Sequence, residues 1–418
     1  MNDTITLFQQ PGLYIVEGPY QRTYVSMCIK AGCEVEAPGH NGLAHLVEHI
    51  SLSYRLYHPI LSARNDKYLK SDFQFSGCTN YGQTVLHMSF PPFSDNIMKF
   101  SEILRGIYSI NVLQEDVFEI ARSEILEECH SMKNHWDWQR RIIQFITDNQ
   151  VDVLPVGNVR DIKGFEIKDA VTFMNTFYST GNCALIIQTS LPIDDIKNLV
   201  LPIVEEYINF SDPEYIIPTK LTGNCSDAIN DELVRTVFLD NSTGLTLMEF
   251  FFQRAYERLD LEKKITRMLF EIISKIRIRD YINNSNNHDG FQDNFVSDKH
   301  ISEHYYYTVF TLQFLQPIKN ASDFAEEAVL FLKQYEISEA ELLHAKQILT
   351  DFMNETNLTT HDDIFENLSA NFFYEEPIHI TVQHYDQIKS IMDRIKLADV
   401  KTYKCWALTG PCKIVISS

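Results

Sequence analysis

The chain has 418 residues, 44% of them hydrophobic and 12% aromatic, which supplies large cores and argues against disorder. That length suits two domains of about 200 residues. A net charge of −21 argues against nucleic-acid binding, because the chain would repel phosphates, and no apolar run approaches the roughly 18 residues of a membrane span.

The opening stretch, Met1-Asn2-Asp3-Thr4-Ile5, has neither a basic nor an apolar signal region, so a cytoplasmic location is expected. Eight scattered cysteines (Cys28, Cys33, Cys78, Cys129, Cys183, Cys225, Cys405 and Cys412) form no Cys-x-x-Cys pair and read as reduced, mostly buried thiols.

Leu13 to Val16 and Thr23 to Ile29 are β-branched and aromatic and read as two strands joined by a turn at Gly18-Pro19. A loop, Pro38-Gly39-His40-Asn41-Gly42, precedes a helix that opens with Leu43-Ala44-His45-Leu46-Val47-Glu48-His49. His45 and His49 are i and i+4, so both imidazoles leave one helix face a turn apart. That spacing lets two neutral nitrogens reach one zinc at about 2.0–2.1 Å. Glu48 borders the same face, where a carboxylate can take a proton from an activated water. The order His-x-x-Glu-His is the inverted zinc-peptidase arrangement.

Ser51 to Ser71 reads as the end of that helix and a loop, and Thr84 to Phe90 as a strand. Ser94 to Ile107 is helical, with Ser94 and Asp95 as its cap. A helix from about Glu115 to Lys133 carries Glu124, Glu127 and Glu128, and by spacing each could complete a zinc site. Asp169 to Tyr178 and Ile193 to Tyr207 read as helices around a strand at Cys183 to Gln188.

The Pro-, Gly- and Asn-containing stretch from Ser211 to Ile229 reads as a boundary between domains at 1–215 and 225–418. Beyond it, strands are expected at 233–239, 246–252 and 305–315. A helix is expected at 259–278, with Ile265, Met268, Leu269, Ile272 and Ile276 on its core stripe. Asn283 to Asn294 reads as a polar loop, and Ser338-Glu339-Ala340-Glu341 as a capping box.

The two halves repeat. Val171 to Ile187 aligns without a gap on Val400 to Ile416, matching helix, Thr-Gly turn, cysteine and strand at an offset of 229 residues, Cys183 onto Cys412. The fold class is therefore α+β: two homologous domains, each a mainly antiparallel sheet with helices packed on one face. The His-Glu-His set has no counterpart in the second copy, which implies one catalytic and one structural copy.

Ala31-Gly32-Cys33-Glu34-Val35-Glu36 followed by Gly42 to His49 resembles the start of the insulinase/pitrilysin family of zinc peptidases, which includes the mitochondrial processing peptidases. Gly77-Cys78-Thr79-Asn80-Tyr81-Gly82-Gln83-Thr84, Pro155-Val156-Gly157 and Asn371-Phe372-Phe373-Tyr374 are similar to it as well. The family's third ligand ends an Arg-x-hydrophobic-Ile-Leu-x-Glu stretch, which Arg122 to Glu128 fits. The resemblance thus implies one Zn2+ per chain on His45, His49 and Glu128, with Glu127 the fallback ligand, and Glu48 as catalytic base. It implies a peptide substrate laid along an exposed strand at Ser76, Gly77, Cys78, Thr79 and Asn80. It also implies dimerisation with an identical or related chain.

Three departures stand out. Ala121 and Ser76 replace a Glu and an Asn common in the family, and Glu124 stands where an apolar residue is usual. The Arg/Tyr pair with which active relatives hold the substrate carbonyl has no assignable place in residues 220–418. The function implied is a zinc endopeptidase for short or unfolded peptides, including peptide-precursor maturation. The alternative is a non-catalytic peptide-binding or scaffolding subunit.

Overall fold

A computed structural model describes residues 5–57, 73–108, 113–179, 181–208, 234–239, 245–285, 290–302, 305–355, 360–379 and 382–418. The boundary stretch 211–229 and residues 58–71 of the expected loop lie outside these. In chain order the described elements begin with β1 (Thr6–Gln10), β2 (Leu13–Glu17), β3 (Thr23–Ile29), α1 (Leu43–Tyr57), β4 (Gln74–Thr79) and β5 (Thr84–Phe90). Then come α2 (Ser94–Tyr108), α3 (Glu115–Ser131), α4 (Lys133–Ile146), α5 (Val159–Gly164), α6 (Ile167–Phe177), β6 (Cys183–Thr189) and α7 (Ile193–Ile208). The second half has β7 (Val234–Leu239), β8 (Thr246–Arg254), α8 (Leu261–Asn283), β9 (Phe291–Ser302), β10 (Tyr305–Phe314), α9 (Ala321–Gln334) and α10 (Glu339–Glu355). It ends with α11 (His361–Tyr374), α12 (Val382–Arg394), α13 (Leu397–Leu408) and β11 (Cys412–Ser417).

The chain divides into two compact units, one of Met1–Asp137, Val153–Leu221 and Thr359–Val382, the other of Trp138–Asp152, Thr222–Leu358 and Gln383–Ser418. The sheet of the first runs β1-β2-β6-β3-β5-β4, with β2 and β6 parallel and all other neighbours antiparallel. β2 and β3, expected to form a hairpin, are separated by β6. The apolar run of β6 explains its central place: Cys183, Leu185 and Ile187 enter the main core, while Ala184 and Ile186 enter a smaller cluster on the opposite face.

The main core packs this sheet against α1, α2, α3, α6 and α7. On the other face α11 seats Ile364, Leu368 and Phe372 against Tyr14, Val16, Cys28 and Val85. Tyr14 donates to Asn371 Oδ1 (2.8 Å) and Gln188 donates to the His361 carbonyl (2.9 Å). The helical layer is thus on one face, as expected, with one helix added on the second.

The sheet of the second unit repeats the order as β7-β11-β8-β10-β9, with β11 and β7 parallel. Residues 138–152 lie along its second face. Tyr307 Oη and Lys413 Nζ both donate to the Ile146 carbonyl at 2.8 Å, and Lys413 pairs with Asp148 at 2.7 Å. On α8 the buried stripe is Ile265, Leu269, Phe270, Ile273 and Ile278, whereas Met268 is exposed. β9 begins inside the expected polar loop, because pairing with β10 from Asn294–Leu312 to Tyr305–Ser302 holds these polar residues extended. The first backbone bonds of α2 run from Asn96 and Ile97 N–H to the Phe93 carbonyl, which places Ser94 inside the first turn and not before it. The Ser338/Glu341 capping box forms as read.

Truncating α11 at its fully buried contact tests the second-face packing. Ile364→Ala should lower unfolding stability by about 2–4 kcal/mol in urea denaturation, the range for a buried aliphatic reduced to Ala. A loss under about 0.5 kcal/mol, the scale of a surface substitution, would contradict it.

Candidate metal centre

The helix that carries the histidines is fixed at its first turn. Glu36 Oε1 accepts the Ala44 N–H at 2.8 Å, and Oε2 accepts the Gly42 N–H and the Asn41 side-chain amide, both at 3.0 Å. A carboxylate there satisfies donors that the helix leaves open and complements its dipole. Burial pushes the Glu36 carboxyl up to about 7 against the pull of these donors.

Gly42 and Gly157 pack backbone to backbone. A Cβ on Gly157 would lie 2.4 Å from Gly42 Cα, and both residues adopt positive φ, +105° and +85°. The contact is tied by Asn158 N–H to the Asn41 carbonyl (3.2 Å) and by Asn41 N–H to Asp161 Oδ2 (3.1 Å).

From this start α1 delivers His45, Glu48 and His49 to one side, and α3 delivers Glu128. One ligand atom from each of His45, His49 and Glu128 lies within 4.8 Å of the others, a group that could hold a metal ion. Glu128 Oε2 is 3.5 Å from His45 Nε2 and 3.9 Å from His49 Nε2. A tetrahedral zinc with ligands at about 2.0–2.1 Å needs donors roughly 3.3–3.4 Å apart, which the Glu128–His45 contact nearly meets, while the group as a whole spans up to 4.8 Å and would draw together around an ion. Of the three acids that spacing left open, Glu128 faces both imidazoles, Glu124 contacts the other nitrogen of His49, and Glu127 is exposed.

The outer nitrogens are also engaged. His45 Nδ1 lies 3.4 Å from the Val156 carbonyl, and His49 Nδ1 lies 3.0 Å from Glu124 Oε2. Burial, and then the neighbouring His49, push the His45 imidazole down to about 4 against the Val156 contact, so it is neutral and free to ligate. Glu48 is 4% exposed. Burial raises its carboxyl, while the Thr79 hydroxyl, donating to Oε2 at 2.6 Å, lowers it.

The expected substrate strand lies directly over Glu48. Ser76, Gly77, Cys78 and Thr79 belong to β4, an edge strand that pairs with β5 alone among the described strands, and Asn80 follows it. Burial alternates along β4: Gly77 and Thr79 are half-buried toward Glu48, while Ser76 and Cys78 are exposed. A Cβ on Gly77 would lie 2.4 Å from Glu48 Oε1. Thr79 as the holder of Glu48, Glu36 as the helix cap and Val156 as the partner of His45 were not singled out for these roles by sequence. Their signals were local: a Thr two residues beyond a strand Gly, and Pro155-Val156-Gly157.

No protein-family model matches the chain. A probable zinc protease PqqL from Haemophilus influenzae is 22% identical over 414 residues, covering 92% of this chain and 42% of its own length. The chain thus spans less than half of that curated relative. A protease from Helicobacter pylori superposes with a TM-score of 0.72 at 16% identity, over 100% of both chains. An inactive domain of an M16 peptidase from Pseudomonas fluorescens superposes with a TM-score of 0.75 at 11% identity, over 99% of this chain and 97% of its own. The fold is that of the M16, insulinase-like peptidases, and the resemblance carried by Gly32 to His49 stands.

The depressed imidazole has a pH consequence for the zinc-free protein. The unfolded chain takes up a proton near the ordinary histidine value of 6.5, which folded His45 refuses until about 4. Its contribution is full above pH 6.5 and is lost as the pH falls toward 4, amounting to about 3 kcal/mol. Chelator-treated wild type should therefore lose more stability than His45→Gln between about pH 7.5 and 4.5 in urea titrations. Equal losses would contradict this.

Proposed function

We propose that the chain is a zinc-dependent endopeptidase acting on extended or unfolded peptides. The observation that carries the reading is the convergence of His45, His49 and Glu128 within 4.8 Å, with the buried Glu48 on the same helix. Two imidazoles and one carboxylate make the protein donor set of a catalytic zinc, whose fourth position takes a water. Zinc held there supplies Lewis acidity toward water and a peptide carbonyl.

The chain's own groups do the rest. Glu48 accepts the proton of the attacking water at Oε1, the oxygen that Thr79 does not hold, and returns it to the leaving amine. Its raised carboxyl is better matched to that transfer than an exposed one. The edge of β4 aligns the peptide by adding it as a strand, which reads backbone more than side chains and favours flexible substrates.

The chain matches 42% of its curated relative's length, and the remaining substrate contacts are proposed to come from a second unit of this kind, such as a second copy or a related chain. Peptide-precursor maturation is one use of such chemistry on flexible substrates.

The likeness to an inactive M16 domain favours a second reading, a non-catalytic peptide-binding subunit. Metal content separates the two. Under the first, wild type binds about one zinc per chain, His49→Ala and Glu128→Ala lose it, and Glu48→Gln keeps it. Peptide cleavage should be abolished by chelation and fall at least about 100-fold in Glu48→Gln. Undiminished cleavage in that variant would remove Glu48 from its role, and a zinc-free wild type would favour the subunit reading. Gly77→Ala should keep zinc and fold, since the clash falls on one side chain, Glu48 from Cγ to Oε1, and not on backbone, yet cut cleavage at least about 10-fold by displacing it.

A further inference from the structure

The two imidazoles differ in what engages their outer nitrogens. For His45 it is a backbone carbonyl, Val156 O, in a buried setting. For His49 it is a side chain, Glu124 Oε2, at 3.0 Å. Glu124 lies one turn before Glu128 on α3, as His45 lies one turn before His49 on α1. Two carboxylates and two imidazoles therefore meet across the helix pair, and the carboxylates take different nitrogens.

We propose that Glu124 is a positioning residue of the metal centre. It accepts the Nδ1 proton of His49, fixes Nε2 as the bare nitrogen directed at Glu128, and strengthens that nitrogen as a donor. This rests on the zinc-site reading above. Glu124 is not a fourth ligand, because its Oε2 is spent on the nitrogen that faces away from Glu128.

Glu124 is also not committed to an ion pair on its own helix, where Arg122 pairs with Glu119. Its side chain is 47% exposed, so its carboxylate adds little to the fold by itself. Ordering His49 is the role its geometry leaves.

The test is zinc affinity of the full-length protein, measured by competition with a chromophoric chelator, for wild type, Glu124→Ala, Glu124→Gln and the neighbouring control Glu127→Ala. Glu124→Ala should bind zinc roughly 10–100-fold more weakly, the usual cost of losing an outer-shell partner of a ligating histidine. Glu124→Gln should fall between, because its amide oxygen still accepts, and Glu127→Ala should match wild type. Cobalt-substituted Glu124→Ala should show altered visible bands, while the zinc-free variants should melt with wild type. Wild-type affinity and bands in Glu124→Ala would overturn the proposal. A zinc-free Glu124→Ala that melts well below wild type would also overturn it, by making Glu124 a structural residue. A wild type without zinc would instead overturn the zinc-site reading, and this inference with it.

Discussion

The approach of Gly157 to Gly42 is the contact on which the metal centre depends. At 2.4 Å from Gly42 Cα there is no room for a Cβ, and both residues sit at positive φ, where side chains are strained. Closing that gap aims the Val156 carbonyl at His45 and lets Asn41 reach the Leu154 carbonyl at 3.1 Å. With the first turn of α1 anchored there and on Glu36, the helix acts as a ruler. Three, then one, residues beyond His45 place Glu48 and His49 without further adjustment. A site of this kind tolerates only about 0.5 Å of play, so its precision has to come from backbone contacts such as this one.

Four carboxylates surround two histidines, and their surroundings give them different work. Glu36 is buried but meets backbone N–H groups, so it fixes structure. Glu48 is buried with one strong donor, Thr79, which holds it in place while burial raises its carboxyl. Glu128 is 31% exposed and faces both Nε2 atoms, and Glu124 is more exposed and reaches one Nδ1. So many acids beside two imidazoles favour a cation, and burial falls from Glu48 through Glu128 to Glu124.

What was legible in the sequence followed from local geometry. His45, Glu48 and His49 share a face because of helix pitch alone, and the ungapped match of α6–β6 to α13–β11 exposed the repeat. The third ligand was not settled by spacing: choosing among Glu124, Glu127 and Glu128 needs the packing of α3 on α1, a non-local fact. The same holds for β6 entering between β2 and β3, since a turn at Gly18-Pro19 reads alike whether or not its strands pair. Nothing local marks residues 138–152 and α11 as the segments that cover the second sheet faces. β9 was hidden because Asn294, Asp293 and Asp298 disfavour strands by propensity, and ladder pairing overrides that preference.

The repeat shows what chemistry adds to a fold. Both sheets keep one strand order with the parallel pair in the same place, and α8 follows β8 as α1 follows β3. On α8 the buried stripe is Ile265, Leu269 and Ile273, which need only apolar neighbours. On α1 the corresponding layer admits His45 at 8% exposure and Glu48 at 4%. Buried polar groups of that kind destabilise unless each finds a partner. Val156, Thr79 and Glu36 lie where those needs arise, and Gly77 and Gly157 make the room. These partners serve the His-Glu-His set, and the other copy keeps the same strand order without any residue of that set, its own buried polar groups such as Ser274 and Arg254 being met by Tyr335 and Asp298.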